Sequence, residues 1–373
     1  MLLFKERIQK ILAGIDISID GARDWDIQVY DERLYRRLIA RGSMGLGEAY
    51  MDGWWDCRKP DEFFYRIIQA SLHTENRGIG HNFYKLISNL LNKQTIRRSL
   101  QVGKRHYDIG NDLYKAMLDK RMVYSCGYWS GNPPAGGLDE AQENKLDLIC
   151  RKLKLKPGQK VLDIGCGWGS FAKFAAEKYG VEVTGVTISK EQAALAREMT
   201  KGLPVEINFL DYRKIEGIFD RIVSIGMFEH VGPKNYRTFM KVGGRNLKDD
   251  GIFLLHTIGG DYPDTNLDPW IEKYIFPNGA VPNIESIGKS VRGIFIVEDW
   301  HNFGADYDKT LMAWHRNFEN NWDKLKERYS ERFRRMWNYY LLSCAGSFRA
   351  RDAQLWQIVL SKSGFPGGYE SVR

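Results

Sequence analysis

An apolar strand that runs directly into alternating glycines is the feature that most constrains this chain. Residues 161–169 read Val-Leu-Asp-Ile-Gly-Cys-Gly-Trp-Gly, and a helical pattern follows over residues 170–179. Glycines at such a strand-to-helix turn let the backbone bend sharply and approach a ligand closely. The loop is not a dinucleotide fingerprint, because its spacing is G-x-G-x-G and the next strand ends in Thr187-Ile188-Ser189 rather than in an acidic residue.

The residues around this loop alternate between strand and helix patterns from about residue 145 to residue 255. Apolar strands that alternate with helices predict a parallel, doubly wound α/β sheet. The predicted strands are residues 160–164, 181–186, 205–210, 221–225 and 252–256, with helices at 170–179 and 190–200 and, later in the sequence, at 310–326 and 330–345 before a last strand near 354–361.

The segment before this sheet has a different character. It begins with a helical pattern over residues 3–12, and the glycines and large rings of residues 42–55 suggest tight turns packed by aromatic side chains rather than regular structure. We therefore predict a smaller, mainly helical N-terminal domain over residues 1–98 and a larger domain over residues 99–373, with a short basic linker at about residues 93–106.

A basic amphipathic segment closes the predicted N-terminal domain. Between residues 76 and 107 there are seven Lys or Arg and no Asp or Glu, and apolar residues recur along residues 83–91 at helical spacing. Such a helix, over residues 83–98, is typical of a segment that lies on an anionic membrane surface. A helix that packs on the core and exposes a basic face to solvent fits the pattern as well, and both interpretations stay open.

The composition narrows the classes of partner and the cellular setting. The net charge of +8 permits an anionic partner, but no recognition-helix, zinc-finger or RNP-type signature indicates a nucleic acid. The five cysteines form no CxxC pair, which argues against a metal site or a disulfide framework and fits a reducing compartment. Because we find neither a signal-peptide core nor an apolar stretch of about 18 residues, we expect a cytoplasmic protein that is at most peripheral to the inner face of a membrane.

The glycine loop, with Asp163 before it and Asp211-Tyr212 after the third strand, resembles that of the S-adenosylmethionine-binding methyltransferases. Further segments along nearly the whole sequence resemble the bacterial cyclopropane-fatty-acyl-phospholipid synthase family. The resemblance implies a class I methyltransferase fold, with a Rossmann-like doubly wound sheet and a smaller N-terminal helical domain. The matching segments are residues 42–55, 107–112, 124–126, 161–169, 226–232, 256–258, 274–279 and 299–307.

The resemblance also implies a reaction. Members of this family transfer a methylene group from S-adenosylmethionine to the cis double bond of an acyl chain in a membrane phospholipid. The carbocation that forms must be shielded from water and must lose a proton to a base before the ring closes. The implied partners are an unsaturated phospholipid, a membrane surface and a second copy of the protein. A related methyltransferase that methylates a carbon of the acyl group, and gives a methyl-branched or hydroxylated product, is the alternative.

For the base, the resemblance implies a bound bicarbonate ion and a set of catalytic residues. Glu229 follows the predicted strand 221–225 and His256 ends the next one, so both are expected at the carboxyl edge of the sheet, where ligands bind in such folds. Cys344 matches a cysteine often proposed as the family's nucleophile, although no step needs a thiolate, and a buried structural cysteine is the alternative. The implied bicarbonate ligands are Cys126, Glu229, His256, Ile258 and Tyr307, with Cys126 and Ile258 contributing backbone groups.

The resemblance places the cofactor along the ends of the first three strands. Asp163 is expected to orient the glycine loop rather than to touch the ligand. The implied cofactor-binding residues are Tyr124 and Ser125 at the methionine end, Gly165, Gly167 and Gly169 in the loop, Thr187 and Gln192 at the ribose, and Asp211 and Tyr212 near the adenine.

Overall fold

The computed structural model describes residues 2–72, 110–130, 136–261 and 265–373. It divides into two compact units. The basic helix predicted over residues 83–98, the linker at about 93–106 and the domain boundary at residue 98 lie outside the described residues. The first unit comprises Met1–Lys93, Asn266–Pro277 and Tyr307–Ala353, and the second comprises Gln94–Thr265, Asn278–Asp306 and Gln354–Arg373.

A seven-stranded sheet forms the centre of the second unit, and it confirms the predicted doubly wound α/β fold. Its strands are β3 (Lys160–Ile164), β4 (Glu182–Thr187), β5 (Val205–Phe209), β6 (Phe219–Ile225), β7 (Leu247–Gly260), β8 (Ile296–Asn302) and β9 (Ala353–Ser361). Their order in the sheet is β5-β4-β3-β6-β7-β9-β8. The pairs β3–β4, β3–β6, β4–β5 and β6–β7 are parallel, whereas β8 and β9 pair antiparallel.

Both faces of this sheet are buried, which is why its strands read as continuous apolar runs. Successive residues of one strand enter opposite cores: Leu162 belongs to one hydrophobic cluster and Val161 to the other. Helices cover the two faces. The helices of the second unit are α4 (Asn111–Met117), α5 (Gly137–Lys152), α6 (Ser170–Tyr179), α7 (Lys190–Met199), α8 (Tyr236–Asn246) and α10 (Ile284–Val291), with single 3-10 turns at Tyr212–Lys214, Phe228–His230 and Pro233–Asn235.

The first unit is mainly helical and is assembled from three separate stretches of the sequence. Its only described strands are the two-residue pair β1 (Gln28–Val29) and β2 (Trp55–Asp56). Its helices are α1 (Leu2–Ala13), α2 (Arg33–Met51), α3 (Pro60–Leu72), α9 (Pro269–Tyr274), the part of α11 (Ala305–Asn320) from Tyr307 onwards, α12 (Trp322–Leu325) and α13 (Glu331–Arg349). Within the described ranges, no helix combines the length and the apolar composition needed to cross a bilayer.

The glycine- and aromatic-rich passage is helical to Met51, so the expectation of tight turns over residues 42–55 is wrong for most of its length. Only Gly42 breaks the helix, with a φ of 55°. Gly47 serves close packing instead, because a Cβ there would lie 2.4 Å from the ring of buried Trp270. A run of glycines beside large rings therefore reflected helix crowding rather than backbone turns.

This crowding predicts opposite effects for one substitution at two helical glycines. Gly47→Ala is expected to lower the free energy of unfolding by about 1–3 kcal/mol, because the added methyl group would overlap the buried Trp270 ring. Gly288→Ala in α10 is the control: no atom lies within 4 Å of its would-be Cβ, so it is expected to raise stability by about 0.5–1 kcal/mol. Denaturant unfolding of both variants beside the wild type measures the signs, and equal effects would contradict this assignment.

Candidate active site

The parallel register of β6 and β7 brings two predicted residues to one edge of the sheet. Ile225 at the end of β6 pairs with His256 on β7, and the N–H of Gly226 donates to the His256 carbonyl at 2.9 Å. The backbone then forms a 3-10 turn that contains Glu229. Glu229 therefore lies in the turn just beyond β6, and His256 lies on β7 level with the last residue of β6.

The Glu229 carboxyl is held on one oxygen only. The N–H of Ile258 donates to Oε1 at 2.6 Å, whereas Oε2 is shielded from solvent and has no hydrogen-bond partner among the described residues. Burial raises the pKa of this carboxyl to about 7, against hydrogen bonds from Ile258 and Thr257 that lower it. A carboxyl with this pKa is partly protonated at neutral pH, so it can donate as well as accept a hydrogen bond.

His256 is the second buried polar group at this edge, with 1% of its surface exposed. The Gln357 Nε2 lies 3.3 Å from His256 Nδ1, and His256 Nε2 has no partner within the described part of the sequence. Burial, with a smaller contribution from the charges of Lys145 and Lys152, lowers the pKa of His256 well below its ordinary value. The imidazole is therefore neutral, and it presents one unpaired ring nitrogen.

The segment that carries Tyr124, Ser125 and Cys126 is fixed by helix α5. Gln142 Nε2 donates to the Ser125 carbonyl at 2.8 Å, and Lys145 Nζ donates to the Ser125 hydroxyl at 2.9 Å. These two side chains are three residues apart on one helix face and are fully buried. The sequence motifs indicated neither Gln142 nor Lys145, because their contacts with Ser125 form only in the folded protein.

Lys145 is an unusual residue to bury, and it lies near another buried charge. Burial lowers the pKa of Lys145 to about 8, against the carboxylates of Asp119 and Asp163 and the thiol of Cys126, which raise it. Burial likewise raises the pKa of Asp163 to about 7, and its Oδ2 has no hydrogen-bond partner in the described residues. Asp163 lies near the end of β3, just before the glycine loop, which fits its expected role of orienting that loop.

The glycine loop is shaped for the close approach of a ligand. Gly165 and Gly167 have φ values of 84° and 54°, in the left-handed region that favours glycine. A Cβ at Gly165 would lie 2.6 Å from the Met227 side chain, whereas at Gly167 no atom lies within 4 Å. Gly167 thus combines a backbone conformation that side chains rarely adopt with open space beside it. Gly169 then caps α6 at its start, also with a left-handed φ, of 81°.

The predicted ribose and adenine residues lie at the ends of β4 and β5. The Thr187 hydroxyl donates to Gln192 Oε1 at 3.0 Å, and both side chains are buried. The Asp211 carboxylate accepts from Arg213 Nε at 2.9 Å, and this interaction lowers the pKa of Asp211. Tyr212 is buried beside Asp211. These side chains form a polar border along the same edge as the glycine loop.

Aromatic rings pack beside the glycine loop and beside His256. Tyr114 packs against both Tyr124 and Trp168, with ring centroids 5.2 and 5.0 Å apart. Near His256, the Phe303 ring lies 6.0 Å from the imidazole and 5.4 Å from Tyr128. Rings in these positions exclude water and tolerate both apolar chains and cations.

Two of the predicted catalytic residues belong to the first unit. Tyr307 is buried against Phe348, with ring centroids 4.5 Å apart. Burial raises the pKa of the Cys344 thiol to about 12, and Asp268 adds to this effect. A thiol with such a pKa is not a thiolate at neutral pH, so this environment favours the structural alternative for Cys344.

Comparisons with known proteins identify similar sequences and structures. The family described as mycolic acid cyclopropane synthetase matches residues 94–358. The cyclopropane-fatty-acyl-phospholipid synthase of Escherichia coli strain K12 is 52% identical over 98% of this chain and 94% of its own length. A probable fatty acid methyltransferase from Pseudomonas putida is 37% identical over 71% of this chain and 70% of its own. The crystal structure of mycolic acid cyclopropane synthase CmaA1 with SAH and CTAB superimposes with a TM-score of 0.65 at 32% identity, over 70% of this chain and 98% of that one.

The raised pKa of Glu229 predicts a pH-dependent gain in stability for Glu229→Gln. Because the folded pKa of about 7 lies above the ordinary 4.5, the folded state binds the extra proton between these values, and stability falls as pH rises through them. The amide carries no charge, so the variant is expected to match the wild type below pH 4.5 and to exceed it by up to about 3 kcal/mol above pH 7.

Denaturant unfolding at pH 4.5 and pH 8 measures this difference. Glu198→Gln serves as the matched control, since Glu198 lies exposed on α7 and the same substitution there should give no pH-dependent gain. A Glu229→Gln gain that is equal at both pH values would contradict the raised pKa.

Proposed function

The chain belongs to the mycolic acid cyclopropane synthetase family, and we propose that it transfers a methylene group from S-adenosylmethionine to the cis double bond of an unsaturated phospholipid acyl group, forming a cyclopropane ring. The observation that carries this proposal is a pair of shielded polar atoms that have no hydrogen-bond partner among the described residues: Glu229 Oε2 in the turn after β6, and His256 Nε2 on β7, level with the end of β6. Buried polar groups in folded proteins are normally hydrogen-bonded, so two such atoms on neighbouring elements support a small polar ligand there.

The residues along the strand ends fit S-adenosylmethionine. Bound there, this cofactor supplies an electrophilic methyl group, which an alkene requires because it is a poor nucleophile. The open backbone at Gly167 leaves room for the cofactor's methionine part, and Ser125 is held in place by Lys145 and Gln142. Thr187 and Gln192 would offer polar groups to the ribose, and Asp211 and Tyr212 would lie beside the adenine.

The edge that carries Glu229 and His256 fits an oxyanion, and we assign it to bicarbonate. Bicarbonate bound there supplies a base that removes a proton from the transferred methyl group. A neutral His256 can donate one hydrogen bond, and a carboxyl with a pKa of about 7 can either accept the bicarbonate hydroxyl or donate to an oxygen. Ile258 gives its N–H to Glu229, so its part in this scheme is to orient that carboxyl. Cys126, in the same unit, is proposed to contribute a backbone group.

Water exclusion is the second task of these residues, because a carbocation on the acyl group would react with water. His256, Cys126 and Phe228 expose 1% of their surface or less. Phe303 and Tyr128 add ring faces beside His256. We propose that this aromatic lining shields the positive charge until the proton has been removed and the ring closes.

The substrate resides in a bilayer, so the enzyme must reach it from the surface. We propose peripheral association with an anionic membrane on the cytoplasmic side, in the form of a homodimer. The net charge of +8 and the acid-free basic run over residues 76–107 support electrostatic attraction to such a surface. Each Lys or Arg near an anionic membrane contributes about 1 kcal/mol.

A vesicle assay tests the reaction. Incubation with S-adenosylmethionine and vesicles of unsaturated phospholipid should yield acyl groups heavier by one methylene and without a double bond. Glu229→Gln should reduce the rate by at least about a hundredfold, because it removes the carboxyl that is proposed to hold the bicarbonate, and a general base contributes a factor of about 10²–10⁴. The exposed control Glu198→Gln should retain the wild-type rate.

The product distinguishes this proposal from its alternative. A methyl-branched or hydroxylated acyl group without a ring would favour a methyltransferase that methylates an acyl carbon without ring closure. The name of the similar Pseudomonas putida protein, a probable fatty acid methyltransferase, suggests methyl transfer to a fatty acid for that protein. Retention on DNA without binding to anionic vesicles would exclude a lipid substrate altogether.

Bicarbonate dependence is a separate prediction. In buffer freed of carbon dioxide, the rate of ring formation should fall by about tenfold or more, and added bicarbonate should restore it at constant pH and ionic strength. Sodium chloride at the same concentration is the control and should restore nothing. A rate that is unaffected by removal of carbon dioxide would mean that another group removes the proton.

A further inference from the structure

Gln357 lies beside His256 and is absent from the set of residues that the sequence indicated. It is on β9, between β7 and β8 in the sheet, and its side chain is fully buried. Its amide nitrogen lies 3.3 Å from His256 Nδ1. Its carbonyl oxygen Oε1 has no hydrogen-bond partner in the ranges that the structure describes. The polar contact that this buried amide makes is therefore with the imidazole.

The direction of this hydrogen bond decides which ring nitrogen of His256 carries the proton. An amide nitrogen only donates, so Nδ1 must accept and carry no hydrogen. The ring is neutral, because burial and the charges of Lys145 and Lys152 on α5 oppose its protonation. A neutral imidazole has a single N–H, which is therefore on Nε2, the atom that lacks a partner among the described residues.

This tautomer suits an anionic oxygen, which accepts hydrogen bonds. With the proton on Nε2, His256 presents a donor at the carboxyl edge of the sheet. With the proton on Nδ1, it would present a lone pair, which repels an anionic oxygen. The Phe303 ring packs against the same imidazole, with ring centroids 6.0 Å apart.

We propose that Gln357 is a positioning residue that holds His256 in the Nε2–H tautomer and so makes it a hydrogen-bond donor to the anion. The proposal rests on the proposed function in one respect, since it takes an anion as the ligand of His256. Glutamine suits this position because it donates to Nδ1 without adding a charge to a buried site. Glutamate would accept from Nδ1–H instead and would move the ring proton to Nδ1.

The tautomer can be read directly in the wild-type protein. In protein labelled with ¹⁵N-histidine, the His256 resonances, assigned by comparison with His256→Asn, should show an unprotonated Nδ1 and a protonated Nε2. This measurement needs neither turnover nor a variant at position 357. A protonated Nδ1 in the wild type would overturn the proposal.

The variant Gln357→Glu tests the consequence for catalysis. We expect a protonated Nδ1, a rate of methylene transfer reduced by about tenfold or more, and a dissociation constant for S-adenosylhomocysteine within about twofold of the wild type, since His256 is not at the cofactor end. Gln354→Glu on the same strand is the matched control. Gln354 accepts from Asn302 and Trp356, which a carboxylate also does, so wild-type activity is expected.

The proposed function and the role of Gln357 fail in different ways. If the wild type forms no cyclopropane product, the proposed function fails, while the nitrogen resonances still decide the tautomer. If the wild type is active and Gln357→Glu retains its rate, the positioning role of Gln357 is wrong. Equal losses of rate in Gln357→Glu and Gln354→Glu would also overturn it, because the effect would then belong to the strand and not to the contact with His256.

Discussion

The parallel pairing of β6 with β7 is the constraint on which the site depends. It sets Ile225 level with His256, and the N–H of Gly226 then donates to the His256 carbonyl. From this point the backbone turns once and returns the Glu229 carboxyl to the N–H of Ile258. A register shift of one residue would send every side chain of a strand to the other face. Sheet register and the turn after β6 therefore together set the positions of Glu229 and His256.

The polar groups of the site lower the stability of the folded protein. A buried polar group without a partner costs about 1–3 kcal/mol, and Asp163, Glu229 and His256 each have one such atom within the described part of the protein. The sheet tolerates this because hydrophobic clusters cover both of its faces. Under the proposed function, a bound ligand would supply the missing hydrogen bonds of Glu229 and His256 and so offset part of this cost.

Much of the fold could be predicted from the sequence, because the strands and helices of the sheet follow from patterns among neighbouring residues. The strand before Gly165 and the alternation that follows it depend on near neighbours in the sequence, so periodicity was sufficient. Gln142, Lys145 and Gln357 were missed because their function comes from contacts with Ser125 and His256 that only the folded sheet brings about. The helix through Gly47 was misread for the same reason, since its partner Trp270 lies far away in the sequence.

Charge connects these contacts to the chemistry. A fully charged imidazolium beside the reacting acyl group would oppose a developing carbocation, whereas a neutral His256 donates a hydrogen bond without adding positive charge. The Glu229 carboxyl, with its pKa of about 7, likewise need not hold a full negative charge that would repel an anionic base. Under the proposed mechanism, the anion that enters is then the main negative charge near the cation. Burial alone is enough to favour the uncharged forms of His256 and Glu229, because it disfavours the charged form of acids and bases alike.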